Sequence, residues 1–296
     1  MTFLMPDMTG QKLTVDAVLA QPMRITKRLA DLIAPRSIGG VFFPAESQPV
    51  TGGGILYSTL SAADLYSSEV ENRQPGDEYK IVHTPDPKYD LAKVQDRGGK
   101  FLVFDEEIHR NQADVVDQRT RQLANTLLRS LDRDAIAAVE AALATIPNGG
   151  GTIPGVDFGA IELHGDPASQ TPTSGRLEAV LSAVNLAAEV DELGLKFDTL
   201  VLHPTERAAL ELAYGKDLQA ILDAFGYRIV SSNRVTAGTG FAVASGQVGK
   251  IGFEVPLKTD VIDQRENRRK MVQSYVVPAF AADMPQAVKK LTGLGA

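Results

Sequence analysis

The sequence predicts an α+β protein, and three observations point to this class. Residues 105–145 place their apolar side chains on one broad helical face. Residues 198–256 contain short apolar runs, bounded by glycine and proline, that alternate with helical patterns. Residues 55–104 form two extended arms around a turn sequence. Helix and strand signals therefore occur in separate parts of the chain rather than in a regular alternation.

The composition is that of a globular protein with a substantial core. The 296 residues are 44% hydrophobic and 23% charged, enough for two domains or for one elaborated domain with arms. A net charge of −7 argues against a dedicated nucleic-acid binder, which usually carries a clustered basic face. The chain has no cysteine, so disulfides, thiolate nucleophiles and cysteine metal sites are excluded.

The sequence gives no indication of export or of membrane insertion. The start, MTFLMPDMTG, lacks the basic region and the long apolar core of a signal peptide. No apolar run approaches the roughly 18 residues that a membrane-spanning helix needs. We therefore expect a cytoplasm-like compartment and no membrane partner.

The first part of the chain combines a helical pattern with a loop-rich stretch. Residues 14–34 have helical apolar spacing that Pro22 interrupts, which predicts two short helices or a bent arm. Residues 1–36 carry five basic and three acidic side chains. A solvated helix face is the favoured interpretation of these charges, and contact with a polyanion is the alternative. Residues 37–54, rich in glycine and proline, predict short strands and loops.

Two extended arms then surround the sequence RQPGDE. Pro75 and Gly76 are adjacent, and this pair is typical of a type II turn because proline presets φ and glycine accepts a positive φ. A two-stranded hairpin is marginal in water on its own. A projection of this length therefore needs a partner on which to lie.

The strongest helical pattern follows this hairpin. Residues 106–145 predict one helix of about 60 Å if it is continuous. Asp105 is the expected N-cap, and the next two glutamates suit the positive end of the helix dipole. Asp132 and Asp134 alternate with arginines and are interpreted as part of a solvated face.

The second half of the chain predicts helices and strands of ordinary length. Residues 176–192 predict a helix, residues 198–202 a buried strand, and Pro204 the first turn of a helix through residue 213. A helix ending at Gly226 and three strands follow. Pro278 predicts an edge or bulge position in the last long strand.

No catalytic, cofactor or metal motif emerges from the sequence. The four histidines show no metal-binding spacing and are His83, His109, His164 and His203. The glycine-rich stretches VTGGGIL and TAGTGFAV lack the endings of phosphate-binding loops and predict turns. The stretch around Ser245 lacks the first glycine of a nucleophile elbow. These observations predict a protein that is not an enzyme.

The order of these segments resembles the major capsid proteins of tailed double-stranded DNA bacteriophages, the Hong Kong 97-like fold. The resemblance spans residues 14–293 and is strongest to capsid proteins of phages of actinobacteria. It is carried by ENRQPGDEYKIVH, GGKFLVFDEEIHRN, FDTLVLHPTERAAL, FGYRIVSSNRVTAGTGFAVAS and VVPAFAADMPQAVKKLTG.

The resemblance implies a division of the chain into five parts. They are an N-terminal arm at 1–52, an extended loop at 53–96 with its turn at 74–77, a peripheral domain at 97–150 with a spine helix at 106–145, an axial domain at 151–252, and return strands at 253–296 that complete the peripheral domain. In such a protein, residues 274–293 pack on the spine helix at contacts between rings.

The resemblance also implies a function in self-assembly. Homo-hexamers and homo-pentamers would form an icosahedral shell around double-stranded DNA, with no sequence-specific DNA binding, in a virion assembled in the host cytoplasm. The implied subunit-interface residues of the extended loop are Arg73, Gln74, Pro75, Gly76, Asp77, Glu78 and Lys80. The turn lacks the lysine of crosslinking relatives, so a non-covalent shell is expected. The expected partners are a separate scaffolding protein, a portal and decoration proteins.

Two other functions stay open at this point. An encapsulin-like nanocompartment, a shell that holds cargo enzymes, would share the fold. A monomeric α+β binding protein belongs to a different class, and the long helix and unsupported hairpin argue against it.

Overall fold

A computed structural model describes residues 14–60, 72–76, 78, 79, 81, 89–164, 166 and 168–295. Within these ranges the α-helices are α1 Val15–Leu19, α2 Pro22–Ile33, α3 Gly39–Phe42, α4 Asp105–His109, α5 Ala113–Ala144, α6 Leu177–Val190, α7 Pro204–Tyr214 and α8 Asp217–Phe225. The strands are β1 Gly54–Ser58, β2 Tyr89–Lys93, β3 Arg97–Phe104, β4 Thr152–Pro154, β5 Thr199–Leu202, β6 Arg228–Ser231, β7 Thr239–Val243, β8 Lys250–Gln264, β9 Arg269–Ala281 and β10 Val288–Thr292. The fold is of mixed helix and sheet, as predicted.

A five-stranded mixed sheet organises the larger core. Its strand order is β4-β10-β7-β5-β6, with β10 parallel to β4 and antiparallel to β7. Helices α6, α7 and α8 accompany this sheet, and Phe158, Phe197 and Phe241 are fully buried in its core. Complete burial of such a side chain contributes about 1.5–3 kcal/mol.

A three-stranded antiparallel sheet organises the second core. Its order is β3-β9-β8, so β9 is central along the length of β3. One face covers α2 and the first half of α5, where Leu29, Val103 and Val272 have no solvent exposure. The second half of α5 contributes to the larger core instead. This long helix therefore belongs to both cores and connects them.

The predicted helix 106–145 is not continuous, and this prediction was wrong at its start. A five-residue helix, α4, ends at His109, and α5 begins at Ala113. Between them Asn111 adopts a left-handed φ of 49°, and its side-chain Oδ1 accepts a hydrogen bond from Val15 N at 2.9 Å. Asparagine tolerates this conformation better than most residues. The continuous part, α5, has 32 residues and is about 48 Å long.

The expected N-cap at Asp105 was also displaced by one position. Asp105 is the first helical residue, and Phe104 is the N-cap. Glu107 accepts a hydrogen bond from Phe104 N at 3.1 Å and forms an ion pair with Arg119 at 2.7 Å. The acidic first turn thus satisfies the backbone through Glu107 rather than through Asp105.

The first arm follows the prediction in part. Helices α1 and α2 are separate, and Pro22 is the first residue of α2, where its missing N–H costs nothing. The prediction of strands in residues 37–54 was wrong at α3. Phe42 and Phe43 are buried there, and the Phe42 ring meets the Phe241 ring edge-on at 6.0 Å. Tertiary packing of these rings overrides the local glycine signal.

The final strand lies in a different place from the one expected. Residues 253–296 were expected to complete the peripheral domain, but β10 lies between β4 and β7 in the five-stranded sheet. Its Val288 and Leu291 are buried in the larger core. Of the strands in this region, β9 pairs with β3, and β8 pairs with β9. Strand β10 still meets α5, because Lys290 Nζ lies 2.6 Å from Glu140 Oε1.

The elements predicted for the second half of the chain are present. Strand β5 is buried at every residue, and α7 begins at Pro204. Gly226 ends α8 with a left-handed φ of 75°. Pro278 lies opposite Phe253, where the β8 register shifts, which matches the predicted bulge. By that point β3 has ended, at the pair Arg97 and Val276, so β9 has β8 alone as its partner within this sheet.

Candidate functional site

The base of the predicted hairpin is an antiparallel ribbon. Strands β1 and β2 pair over five residues, with Leu56 opposite Leu91 and Ser58 opposite Tyr89. Neighbouring side chains on a strand point to opposite faces. The ribbon therefore has one face with Leu56, Tyr89 and Leu91 and a second face with Ile55 and Tyr57.

The second face of the ribbon packs on the body of the protein. A Cβ added to Gly252 would lie 2.5 Å from Val50 and 2.9 Å from Ile55, so the strand β8 backbone closely approaches this face. The first face is open to solvent. Leu56 is 68% exposed, Tyr89 67% and Leu91 50%. An outward row of this kind is typical of an association surface.

Backbone hydrogen bonds fasten the root of the hairpin to the end of β9 and to the segment that follows it. Leu60 N donates to Asp283 O at 2.7 Å, and Gln95 N donates to Pro278 O at 3.0 Å. Burial raises the pKa of the Asp283 carboxyl, and nearby Glu46 raises it further, while Lys250 opposes both. Burial also raises the pKa of Tyr57, with a contribution from Asp90. The root is consequently a fixed element of the fold.

The predicted turn is present at the end of the hairpin. Pro75 and Gly76 lie in a turn, and Gly76 has a φ of 103°, which a residue with a side chain rarely adopts. Arg73, Gln74, Pro75, Gly76 and Glu78 are all exposed. Asp77 and Lys80 lie outside the described residues. The interface role of all seven residues stays a prediction.

Sequence reasoning did not identify the apolar residues beside this turn. Tyr79 and Ile81 are both highly exposed, and Arg73 Cζ lies 4.7 Å from the centre of the Tyr79 ring. A cation over an aromatic face is favourable by about 0.5–1 kcal/mol at an exposed site. The signal was available in the sequence as Tyr79 and Ile81 within the stretch EYKIV.

A second exposed apolar surface lies on helix α6. Leu186 and Val190 are exposed and are four residues apart, so they occupy one outward stripe. Leu177, Val180 and Val184 form the opposite, buried stripe. The spacing of apolar residues along this helix predicts an apolar face. It does not show that Leu186 and Val190 form an exposed stripe separate from the buried one.

Two of the four histidines, His109 and His203, have structural contacts. His109 Nδ1 lies 2.6 Å from Asp105 O, and His203 is the N-cap of α7, where its side chain accepts from Thr205 N at 3.3 Å. His83 lies outside the described residues. Among the residues that the structure describes, no group of three or more His, Asp or Glu side chains could hold a metal ion. The described helices also include none that is long and apolar enough to span a bilayer.

The second glycine-rich stretch starts with a turn, as predicted, and continues as strand β7 from Thr239. Gly238 has a φ of 77°, and its N–H donates to Glu206 Oε1 at 2.6 Å. This amide therefore already binds a carboxylate of the same chain. Burial is the largest single effect on the pKa of Glu206, and it raises that pKa. Hydrogen bonds from Gly238, from Thr205 and from the backbone of Glu206, together with nearby His203, outweigh burial, so the pKa is lowered.

The interpretation of Asp132 and Asp134 as a solvated face was wrong. Asp132 is 3% exposed and accepts hydrogen bonds from Ser37 Oγ at 2.9 Å and Ile38 N at 3.1 Å. Asp134 forms a two-pronged pair with Arg97, at 2.7 and 2.8 Å. Both carboxylates connect α5 to other elements. Arginine neighbours in the sequence hid this arrangement, because the partners are distant along the chain.

Comparison with known proteins gives these features a context. The capsid structure of cyanophage P-SCSP1u is 16% identical, with a TM-score of 0.60 over 88% of this chain and 89% of that one. A structure from Mycobacterium phage Bobi is 12% identical, with a TM-score of 0.59 over 88% and 91%. The virus-like particle from Pyrococcus furiosus is 14% identical, with a TM-score of 0.54 over 91% and 98%. No curated protein matches the sequence.

These identities are low, so the solved structures show a shared fold alone. They include mycobacterial phages, as the resemblance to phages of actinobacteria predicted. The family follows from the sequence, because the model for phage capsid proteins matches residues 88–291 of the 296. The matched range runs from just before β2 into β10 and so includes both sheets. The chain belongs to the phage capsid protein family.

Proposed function

We propose that this chain is the major capsid protein that builds the icosahedral shell around the double-stranded DNA of a tailed phage. The match to the phage capsid family supports this function. The proposed activity is assembly without catalysis, and the proposed location is the virion after assembly in the host cytoplasm.

The outward face of the hairpin base carries the proposal. Leu56, Tyr89 and Leu91 present a contiguous apolar surface on a ribbon whose other face is already packed. Burial of that surface against a second copy of the chain supplies the partner that a two-stranded ribbon needs. Repetition of this contact generates closed rings, here hexamers and pentamers.

The loop around the turn adds charged contacts in this proposal. Arg73, Asp77, Glu78 and Lys80 would pair with side chains of neighbouring subunits, and Gln74, Pro75 and Gly76 would place them. One exposed ion pair contributes only about 0–1 kcal/mol. Many such pairs in a closed shell act together, because each contact lowers the entropic cost of the next. No covalent crosslink is required.

The proposed partners beyond the chain itself are a separate scaffolding protein, a portal and decoration proteins. DNA is enclosed without sequence-specific binding, which suits the net charge of −7. An encapsulin-like compartment is the weaker candidate, because the matching family model is that of phage capsid proteins.

The test is expression of the chain with and without a candidate scaffolding protein, followed by size exclusion and electron microscopy. Closed shells, with DNA inside the particles from infected cells, would support the capsid function. Shells that hold enzyme cargo would favour the compartment instead. A persistent monomer under every condition would reject assembly.

A further inference from the structure

A polar cleft lies between the middle of α5 and the segment that follows β6. Its volume is about 290 Å³, and the residues that line it include Arg36, Asp132, Ser231, Ser232, Asn233 and Arg234. The Asp132 carboxylate is buried and already accepts hydrogen bonds from the first arm. Two guanidinium groups, of Arg36 and Arg234, therefore share the cleft with one carboxylate that is already bound.

The Arg234 side chain lines the cleft without a partner of its own. Its backbone N–H donates to Ser232 Oγ at 3.2 Å, which fixes the turn that carries it. Its side-chain Nε is buried and has no hydrogen-bond partner in the described part of the chain. A buried donor without an acceptor costs stability, so such groups are usually paired. This guanidinium is consequently suited to a ligand that supplies oxygen acceptors.

A row of basic side chains on α5 continues from this cleft. The positions Arg121, Asn125, Arg129 and Arg133 are each four residues apart, so they follow one side of the helix, and all four are exposed. Arg36 connects them to the cleft, because its Nη1 donates to Asn125 Oδ1 at 2.8 Å. We call these five residues the arginine row. Along α5 the row is about 18 Å long.

The arginine row has little opposing charge. Asp132 is the single acidic residue of α5 between residues 118 and 133, and it is buried. Arg36, Arg129 and Arg133 form no ion pair with any residue that the structure describes. The chain as a whole has a net charge of −7, so this surface is a local basic region on an acidic protein. Clustered basic side chains of this kind attract polyanions.

We propose that the cleft and the arginine row bind the phosphate backbone of double-stranded DNA. A guanidinium group presents parallel N–H donors that match two phosphate oxygens. Each DNA strand carries one phosphate about every 3.4 Å along the helix axis, so a row of this length meets several phosphates, whereas a single ion fills only the cleft. Phosphate contacts carry no sequence information. The choice of DNA as the polyanion rests on the proposed function.

The test is the affinity of unassembled full-length subunits, isolated by size exclusion, for a fluorescent DNA duplex of about 20 base pairs. Fluorescence anisotropy over a salt series gives the slope of log K against log salt concentration. Each lost phosphate contact lowers the steepness of this slope by about 0.9. Arg129→Gln with Arg133→Gln should therefore lower it by about 1.8 and weaken binding about 60-fold near 0.1 M salt.

Arg265→Gln with Arg268→Gln is the matched control. It removes the same two charges from the turn between β8 and β9, where both side chains are exposed and lie outside the cleft and the row. We expect the slope and the affinity of this variant to match those of the wild type. Equal losses in the two variants would overturn a local binding surface, because total charge would then explain the effect.

Arg36→Gln with Arg234→Gln tests the cleft itself. This variant should also lose about 1.8 from the slope, and an unchanged slope would overturn the role of the cleft. Urea unfolding checks that each variant retains the fold. The substitutions at Arg129 and Arg133 affect exposed side chains alone, so they keep the proposal testable if the cleft variant is unstable.

Two other anions distinguish the possible ligands. Polyglutamate that binds as tightly as DNA, with the same dependence on the arginines, would overturn the proposal in favour of an acidic protein segment. Competition by millimolar inorganic phosphate would overturn an extended contact and leave a site for one ion. Electron microscopy tests the proposed function separately. Absence of shells from the wild type would contradict assembly, whereas unchanged DNA affinity in the arginine variants would contradict this inference alone.

Discussion

At the scale of single residues, Asp132 is the clearest case of a side chain whose environment sets its role. Its carboxylate binds Ser37 Oγ and Ile38 N, which fastens the first arm to the middle of α5. Burial raises the pKa of Asp132, and the hydrogen bonds from Ser37 and the backbone oppose that shift without cancelling it. The folded protein therefore favours the protonated form of Asp132 more than the unfolded chain does.

A pH-dependent stability difference follows for Asp132→Asn. Because the folded-state pKa of Asp132 lies above its unfolded value, the native state binds more protons, and the free energy of unfolding falls as pH rises through this interval. We expect Asp132→Asn to gain stability relative to the wild type as pH rises from about 3.8. Urea unfolding of the unassembled subunit between pH 3.5 and 6.5 measures the difference.

Glu107→Gln is the matched control with the opposite sign. The hydrogen bond from Arg119, aided by the Phe104 amide, lowers the pKa of Glu107 despite partial burial. The Glu107 carboxylate therefore contributes to the free energy of unfolding above its unfolded-state pKa, and this contribution is lost as pH falls through the folded-state pKa. A shift of the same sign in both variants would contradict the assignment for Asp132.

The ion pair between the buried Lys289 and Asp191 predicts that removal of the acid and removal of the base will cost different amounts of stability. Lys289 is 2% exposed, and its Nζ donates to Asp191 Oδ2 at 2.7 Å and to Gly150 O at 3.0 Å. Removal of the acid in Asp191→Ala leaves a buried cation, and because the Asp191 side chain is itself 29% exposed, we expect a cost below the about 3–5 kcal/mol of a fully buried pair. Lys289→Met removes the charge itself and should cost much less. Denaturant midpoints of the two variants test this order, and equal losses would contradict it.

At the scale of elements, the break between α4 and α5 depends on one asparagine. Asn111 both adopts a left-handed φ and accepts the amide of Val15. Asn111→Ala should cost about 1–2 kcal/mol for the conformation alone, because alanine is strained there. The lost hydrogen bond adds about 0.5–1.5 kcal/mol.

Asn111→Gly separates these two contributions. Glycine accepts the positive φ without strain, so this variant should lose mainly the hydrogen bond to Val15. Thermal unfolding should therefore place Asn111→Gly between the wild type and Asn111→Ala. A more stable Asn111→Ala would instead indicate that a continuous helix is tolerated at this junction.

At the scale of the whole molecule, the outward face of the hairpin base predicts an assembly defect without a folding defect. Leu56→Lys places a charge on the exposed face of the β1–β2 ribbon. Because Leu56 is already solvent-exposed in the subunit, the free energy of unfolding should change by less than about 0.5 kcal/mol. Burial of a lysine at a subunit contact is costly, so shells should fail to form.

The control for this variant is Leu212→Lys, which is more exposed but lies on α7. Size exclusion and negative-stain electron microscopy compare the two. We expect shells from the wild type and free subunits from Leu56→Lys. Normal shells from Leu56→Lys would reject the ribbon face as an assembly surface. Loss of shells only in Leu212→Lys would assign that function to α7 instead.

Local sequence features determined several helices and the hairpin turn of this protein. The spacing of apolar residues and the positions of Pro22, Pro204 and Gly226 were sufficient for helices α2, α7 and α8, because these features act within a few residues. The Pro75–Gly76 turn and the pairing of β1 with β2 were predictable for the same reason. The family was also recognisable from the order of the segments.

Tertiary structure decided the features that depend on distant partners. The break at Asn111 requires Val15, the burial of Asp132 requires Ser37 and Ile38, and the position of β10 requires an opening between β4 and β7. The exposed row of Leu56, Tyr89 and Leu91 depends on strand register and on which face meets the body. Periodicity reports that a face is apolar, and only packing determines what covers that face.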